Sequence, residues 1–237
     1  MTRNILIIGS APSAMKARYW ESHPFSEIVT INNAWQIRPD WTYNIFPSDF
    51  PIKKRPRAGE NKRLITASNY VPAQNKFGGF VYGGGTMAFT AAYWALANLF
   101  PDNLFFLGCD MIYEGKNTHF YGQGTPDPLR DDITLRSLEA KSARFECFAY
   151  LNKCATFNLS EEKKSRLVYR RIKKADLLEK KISTPRPFNK TAFELARERE
   201  KLLGYFVEDG KYWKKLNLFD VTEIDALDKF WISCYPA

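Results

Sequence analysis

The sequence is poor in metal ligands. Its four cysteines, Cys109, Cys147, Cys154 and Cys234, include no Cys-x-x-Cys pair, and its two histidines are His23 and His119. This speaks against a zinc site and a disulfide framework, and predicts free, buried thiols. No apolar run approaches the length of a membrane span. No signal-peptide core precedes the first apolar segment, so a cytoplasmic location is expected (the host cytoplasm if the chain is phage-encoded). No internal repeat or low-complexity stretch is present. No glycine loop runs into Gly-Lys-Ser/Thr, which excludes a Walker A loop. The first turn holds a single glycine, Gly9, which excludes the dinucleotide fingerprint.

What is there reads as a folded α/β chain. With 237 residues, 45% hydrophobic and 26% charged, it can hold one large core, or an α/β domain with a small appendage. The run Ile5-Leu6-Ile7-Ile8 breaks into Gly9-Ser10-Ala11-Pro12-Ser13, followed by helical spacing at Ala14, Ala17 and Trp20. That pattern predicts a buried parallel strand, a tight turn and a helix capped by Ser13. Further strands are predicted at 27–31, 41–46, 63–66, 103–107 and 155–159, and helices at 86–99 and 133–151. The alternation predicts a Rossmann-like, mostly parallel sheet with helices on both faces over residues 1–160. Residues 161–190 read as a basic lid or linker. Residues 191–237 read as a helix-hairpin-helix appendage, with the hairpin around Glu208-Asp209-Gly210.

Nearly every strand ends in small polar residues, and open α/β sheets bind ligands beyond the carboxyl ends of their strands. The same residue types also serve plain turns. The candidates are Gly9, Ser10, Pro12 and Ser13 after the first strand, Asn32 and Asn33 after the second, Ser48 after the third and Asp110 after the fifth. The run Gly83-Gly84-Gly85-Thr86 precedes a helix apolar nearly all round. Free amides and the helix dipole make both turns candidate phosphate sites. His119 lies in a Gly/Pro-rich loop and is a candidate general base, with Asp127, Asp131 and Asp132 as rivals. Tyr113, Tyr121, Tyr169 and Arg130 are candidates for a phosphate or leaving group. Thirty-five basic against 26 acidic residues leave a net charge of +9, concentrated in clusters at 53–63 and 163–190. These read either as surfaces for a polyanion (DNA or an anionic glycolipid) or as plain solvated faces. Oligomerisation is left open.

The order Ile7-Ile8-Gly9-Ser10-Ala11-Pro12-Ser13, then Asn32-Asn33, then a glycine turn before a small-residue helix, then Gly108-Cys109-Asp110-Met111-Ile112-Tyr113, resembles the bacterial lipooligosaccharide sialyltransferases. The likeness covers residues 1–170. A wider Rossmann-like group that includes archaeal pterin pyrophosphokinases shares the opening and the Gly-x-Asp strand end. The resemblance implies a metal-independent glycosyltransferase that takes a CMP-activated sugar as co-substrate and carries no bound cofactor. It sets Ser10 where that family has an asparagine, Asn32 on a donor-binding asparagine, and Ser48 near a third asparagine position. Gly85 and Thr86 fall on a nucleotide-binding turn. Asp110 and Ile112 fall on an Asp-x-Tyr pattern, with Tyr113 displaced by one. The family's catalytic histidine falls near Leu129, where this chain has none, so His119, Asp127 or Asp131 is the base. The chain has no Asp-x-Asp triplet, in keeping with a leaving phosphate met by helix N-termini, hydroxyls and basic side chains. The expectation is transfer of a sugar from a CMP- or UDP-activated donor to a hydroxyl of an anionic glycan or of a modified base in DNA. The alternatives are a Mg²⁺-dependent phosphotransferase or pyrophosphokinase on the same scaffold, and a non-catalytic nucleotide- or nucleic-acid-binding module.

Overall fold

A computed structural model describes residues 2–21, 23–124, 130–178 and 184–235. Among these, seven strands form one sheet: β1 (Asn4–Ile8), β2 (Glu27–Ile31), β3 (Tyr43–Ile45), β4 (Arg63–Ile65), β5 (Asn103–Leu107), β6 (Ala155–Asn158) and β7 (Arg170–Arg171). Their order is β4-β3-β2-β1-β5-β6-β7, and every neighbouring pair is parallel. The chain is therefore α/β and Rossmann-like. Every residue of β1 and β5 is buried, which is why both read as near-continuous apolar runs and not as alternating ones.

The two faces are covered differently. On one face, Ile5, Ile7, Val29 and Phe106 pack under α1 (Ala67–Asn75), α2 (Phe80–Gly83), α3 (Met87–Leu99) and α4 (Leu138–Leu151). On the other, Leu6, Ile8, Phe105 and Phe157 pack under 3₁₀ segments at Pro12–Tyr19 and Asn32–Gln36 and under α5 (Lys174–Leu178). The segment after β1 is 3₁₀ and not α. Its N-cap is Ala11, without a side-chain bond, and Ser13 lies inside it, buried. Arg38 donates to the carbonyls of Ala17 and Trp20 and so satisfies the end of this tight turn. No helix among the described residues is long and apolar enough to cross a membrane.

The C-terminal helices α6 (Lys190–Leu203) and α7 (Val221–Ser233) join the same core. Two buried ion pairs tie them to α4: Lys141 Nζ to Asp228 Oδ1 at 2.8 Å and Arg144 Nε to Glu200 Oε1 at 2.6 Å. The Arg144 guanidinium also donates to Tyr93 Oη and faces the rings of Phe148 and Trp231. Between α6 and α7 the expected hairpin does not form. Two 3₁₀ segments, Tyr212–Lys214 and Leu216–Leu218, stand there instead. The physical reason is that the arms bond to the core and not to each other. Tyr205 N–H donates to Tyr82 Oη at 2.8 Å, and Asn75 Nδ2 donates to Glu208 O at 2.7 Å.

Candidate functional site

The sheet reverses its winding between β1 and β5, because β2 to β4 lie on one side of β1 and β5 to β7 on the other. Ligands of open α/β sheets bind beyond the carboxyl ends of such a strand pair. Here the two strand ends nearly touch. A Cβ on Gly9 would stand 2.3 Å from Gly108 O, and Gly108 itself has φ +68°. Above them opens a cavity of about 930 Å³, a size suited to small-molecule and cofactor ligands. Residues 9–11, 108–109 and 111–113 form its floor. Asn32 and residues 47–51 form one wall, and His119, Tyr121, Arg130 and Asp132 form another. The start of α3 closes the head of the cavity, and residues 209–213 close its far side.

Of the residues singled out in the sequence, Gly9, Ser10, Asn32, Ser48, Gly85, Thr86, Tyr113, His119, Tyr121 and Arg130 border this cavity. Others lie elsewhere. Gly84 backs onto Phe89 and Lys141, and Ser13 and Asn33 are buried away from the cavity. Asp110 is buried, and its carboxylate accepts a bond from Asn158 Nδ2 at 3.2 Å. Tyr169 is 3% exposed and packs against Phe106 in the core. Asp131 is exposed and outside the cavity. Asp127 lies outside the described residues.

Amide bookkeeping separates the two expected phosphate turns. After β1, Gly9 N–H donates to Leu107 O at 2.8 Å and Ala11 N–H to Gly108 O at 3.1 Å, while Pro12 has no N–H. Those two amides are spent inside the protein, which leaves Ser10 N–H as the turn's remaining amide at the cavity. At α3, Thr86 caps the helix by accepting from Phe89 N–H at 3.3 Å. The N–H groups of Met87 and Ala88, which border the cavity, have no acceptor within the helix. The stronger anion-attracting end is that of α3, a 13-residue helix with two such amides. One turn further in, Thr90 also borders the cavity. It is 1% exposed, and its Oγ1 has no partner. Asn32 Oδ1 is likewise buried without a partner, on a residue held at φ +52°, a backbone region that asparagine tolerates.

Asp132 and Tyr212 form a latch across the cavity. The Asp132 carboxylate accepts from Thr134 N at 2.8 Å, Thr134 Oγ1 at 2.6 Å, Arg130 Nε at 2.8 Å and Tyr212 Oη at 2.9 Å. Burial raises its pKa, but these donors outweigh burial and hold it below the ordinary carboxylate range. A carboxylate so fully bonded is a poor base. Tyr212 and Trp213 were not visible as site residues in the sequence. The only signal was two adjacent aromatics after Gly210, which read as a hairpin arm.

His119 has the opposite character. Burial holds its imidazole below the usual 6.5, so at neutral pH it is an uncharged acceptor. Its Nδ1 is 2.9 Å from Thr118 Oγ1, and its ring stacks on Tyr121 with centroids 5.0 Å apart. Phe120 N–H donates to Ser10 O at 2.9 Å, which ties this loop to the turn after β1. His119 also borders a second, neighbouring groove of about 370 Å³ lined by Pro12, Met15, Asn117, Phe120 and Gly122. Cys109 borders the main cavity, but burial, with Asp110 adjacent, pushes the pKa of its thiol up and leaves it un-ionised. Among the described residues, no three His, Cys, Asp or Glu side chains group so as to hold a metal ion. No family model, curated protein or solved structure matches the chain.

Proposed function

We propose that the chain is a glycosyltransferase that takes a sugar from a nucleotide-activated donor. The observation that carries this reading is the position of His119, an uncharged imidazole on the wall common to two spaces. One space is headed by the α3 N-terminus and suits the donor's phosphate. The neighbouring groove suits the acceptor. The acceptor hydroxyl oxygen attacks the anomeric carbon, and His119 takes its proton. The bond from that carbon to the phosphate oxygen breaks, and the phosphate leaves with the electron pair toward the Met87 and Ala88 amides. Thr90 Oγ1 and Asn32 Oδ1 supply hydrogen-bonding capacity for the nucleoside. The sequence resemblance to the sialyltransferases supports CMP as the nucleotide, with UDP as its rival.

The test is a thermal-shift panel of CMP, UDP, GDP and ATP, each with EDTA and with Mg²⁺. A nucleotide at a hundred times its Kd stabilises the folded state by about 2.7 kcal/mol. For a chain of this size that raises Tm by about 5–10 °C. CMP or UDP is expected to do so in EDTA. A response to ATP with Mg²⁺ alone favours phosphoryl transfer, and no response to any nucleotide overturns the reading. His119→Gln is expected to keep the nucleotide shift and lose turnover by about 10²–10⁴-fold.

A further inference from the structure

The segment between α6 and α7 displays side chains that the core does not use. Trp213 is 57% exposed, Leu216 50% and Leu218 59%. Lys211, Lys214 and Lys215 are exposed among them and, among the described residues, take part in no ion pair. No acidic residue lies between Asp209 and Asp220. The backbone here is set in two 3₁₀ segments and held by the bond of Tyr212 to Asp132. The ridge is therefore already in place before anything binds to it.

We infer that residues 211–218 dock the protein on an anionic lipid bilayer, with Trp213, Leu216 and Leu218 in the interfacial zone and the lysines on headgroup phosphates. Three features favour this occupant. Indole, leucine and lysine interleaved on one short segment match the layering of a bilayer surface, where apolar groups sink and cations stay at the phosphates. Exposed leucines gain nothing from stacking on nucleobases, which speaks against nucleic acid. A two-fold dimer through this ridge would set lysines against lysines, which speaks against a second copy. Lys211 and Trp213 also border the main cavity, so docking brings its mouth to the membrane surface. The inference does not depend on glycosyl transfer, because docking needs no donor.

The experiment is co-sedimentation of the full chain with vesicles of phosphatidylglycerol and phosphatidylcholine, against vesicles of phosphatidylcholine alone. Binding is expected to the anionic vesicles and to weaken with salt. Lys214→Gln with Lys215→Gln is expected to lower partitioning by about 25-fold, at about fivefold per lysine. Leu216→Ser with Leu218→Ser leaves the charge unchanged and is expected to lower it by about tenfold. That second pair separates docking through this ridge from unspecific attraction of a basic protein. Both variants are expected to keep the wild-type circular dichroism and Tm. The inference is overturned if anionic vesicles leave the protein in the supernatant, or if the leucine pair binds like wild type. It is equally overturned if duplex DNA is bound in place of vesicles, or if the leucine pair converts a dimer to a monomer on size exclusion.

Discussion

A buried hydroxyl without a partner is a cost that Thr90 imposes on the unliganded protein. Thr90→Val keeps the shape and removes the hydroxyl. The variant is expected to be more stable by about 1 kcal/mol, read as a Tm about 2–4 °C higher, and to bind nucleotide about fivefold more weakly. Unchanged affinity would show that Thr90 takes no part in binding. His119 makes a prediction in pH. Its folded pKa lies below 6.5, so the base form is lost only as pH falls below that value. The acid limb of kcat/KM is expected below pH 6.5, and a limb above it would assign the base elsewhere. The sign for stability follows from the same shift. Below pH 6.5 the unfolded chain binds this proton more readily than the folded one, so stability is lost as the pH is lowered there and rises as the pH is raised. His119→Gln removes that part of the slope. At Gly9 the constraint is steric. Gly9→Ala sets a methyl 2.3 Å from a backbone oxygen of the neighbouring loop, and the loop must shift for the variant to fold.

At the scale of elements, α4 carries the least expected chemistry. Lys141 and Arg144 are fully buried on it, where a sequence pattern reads lysine and arginine as solvated. Their partners Asp228 and Glu200 come from α7 and α6, and burial holds Asp228 above the ordinary carboxylate range. Lys141→Met alone leaves the Asp228 carboxyl unpaired in the core and is expected to cost about 3–5 kcal/mol in urea unfolding. Lys141→Met with Asp228→Leu is expected to recover most of that loss, because two apolar side chains carry no desolvation penalty. Additive losses in the double variant would reject this account. The pairs also explain what was legible. Strands β1, β2 and β5 were plain in the sequence, since a strand buried on both faces is a continuous apolar run. Strand β7 was not, because it is two arginines, Arg170 and Arg171, paired to β6 at the sheet edge. The helix α1 was hidden by Pro72 in its interior. The strand-end positions Gly9, Asn32 and Ser48 were legible because ligands of open sheets gather at strand ends. The Asp132–Tyr212 bond joins residues 80 apart, and no local pattern signals it.

Across the whole molecule, charge and closure turn out to be separate matters. Part of the two basic clusters braces the fold, though ion pairing leaves the net charge of +9 unchanged. Lys164 pairs with Glu114 at 2.9 Å, Arg166 with Glu139 at 3.1 Å and Arg186 with Glu146 at 2.6 Å. Arg55 donates to the Phe50 and Ser48 carbonyls. Closure of the cavity falls instead to the C-terminal segment, which α6 and α7 hold against α4 and which Asp132 latches through Tyr212. The N-terminal half supplies Asn32, Ser48 and the start of α3, and the last quarter of the chain supplies residues 209–213. A ligand in the cavity therefore bridges segments that are far apart in sequence. It is expected to slow amide hydrogen exchange at residues 86–90 and 209–214 together. Residues 163–174, which do not border the cavity, are expected to exchange as before. Protection at 86–90 alone would mean that the ligand sits on α3 without touching the latch, and Tyr212→Phe would then leave its affinity unchanged. Protection at both segments, lost from 209–214 in Asp132→Asn while kept at 86–90, would place the closure in the latch itself.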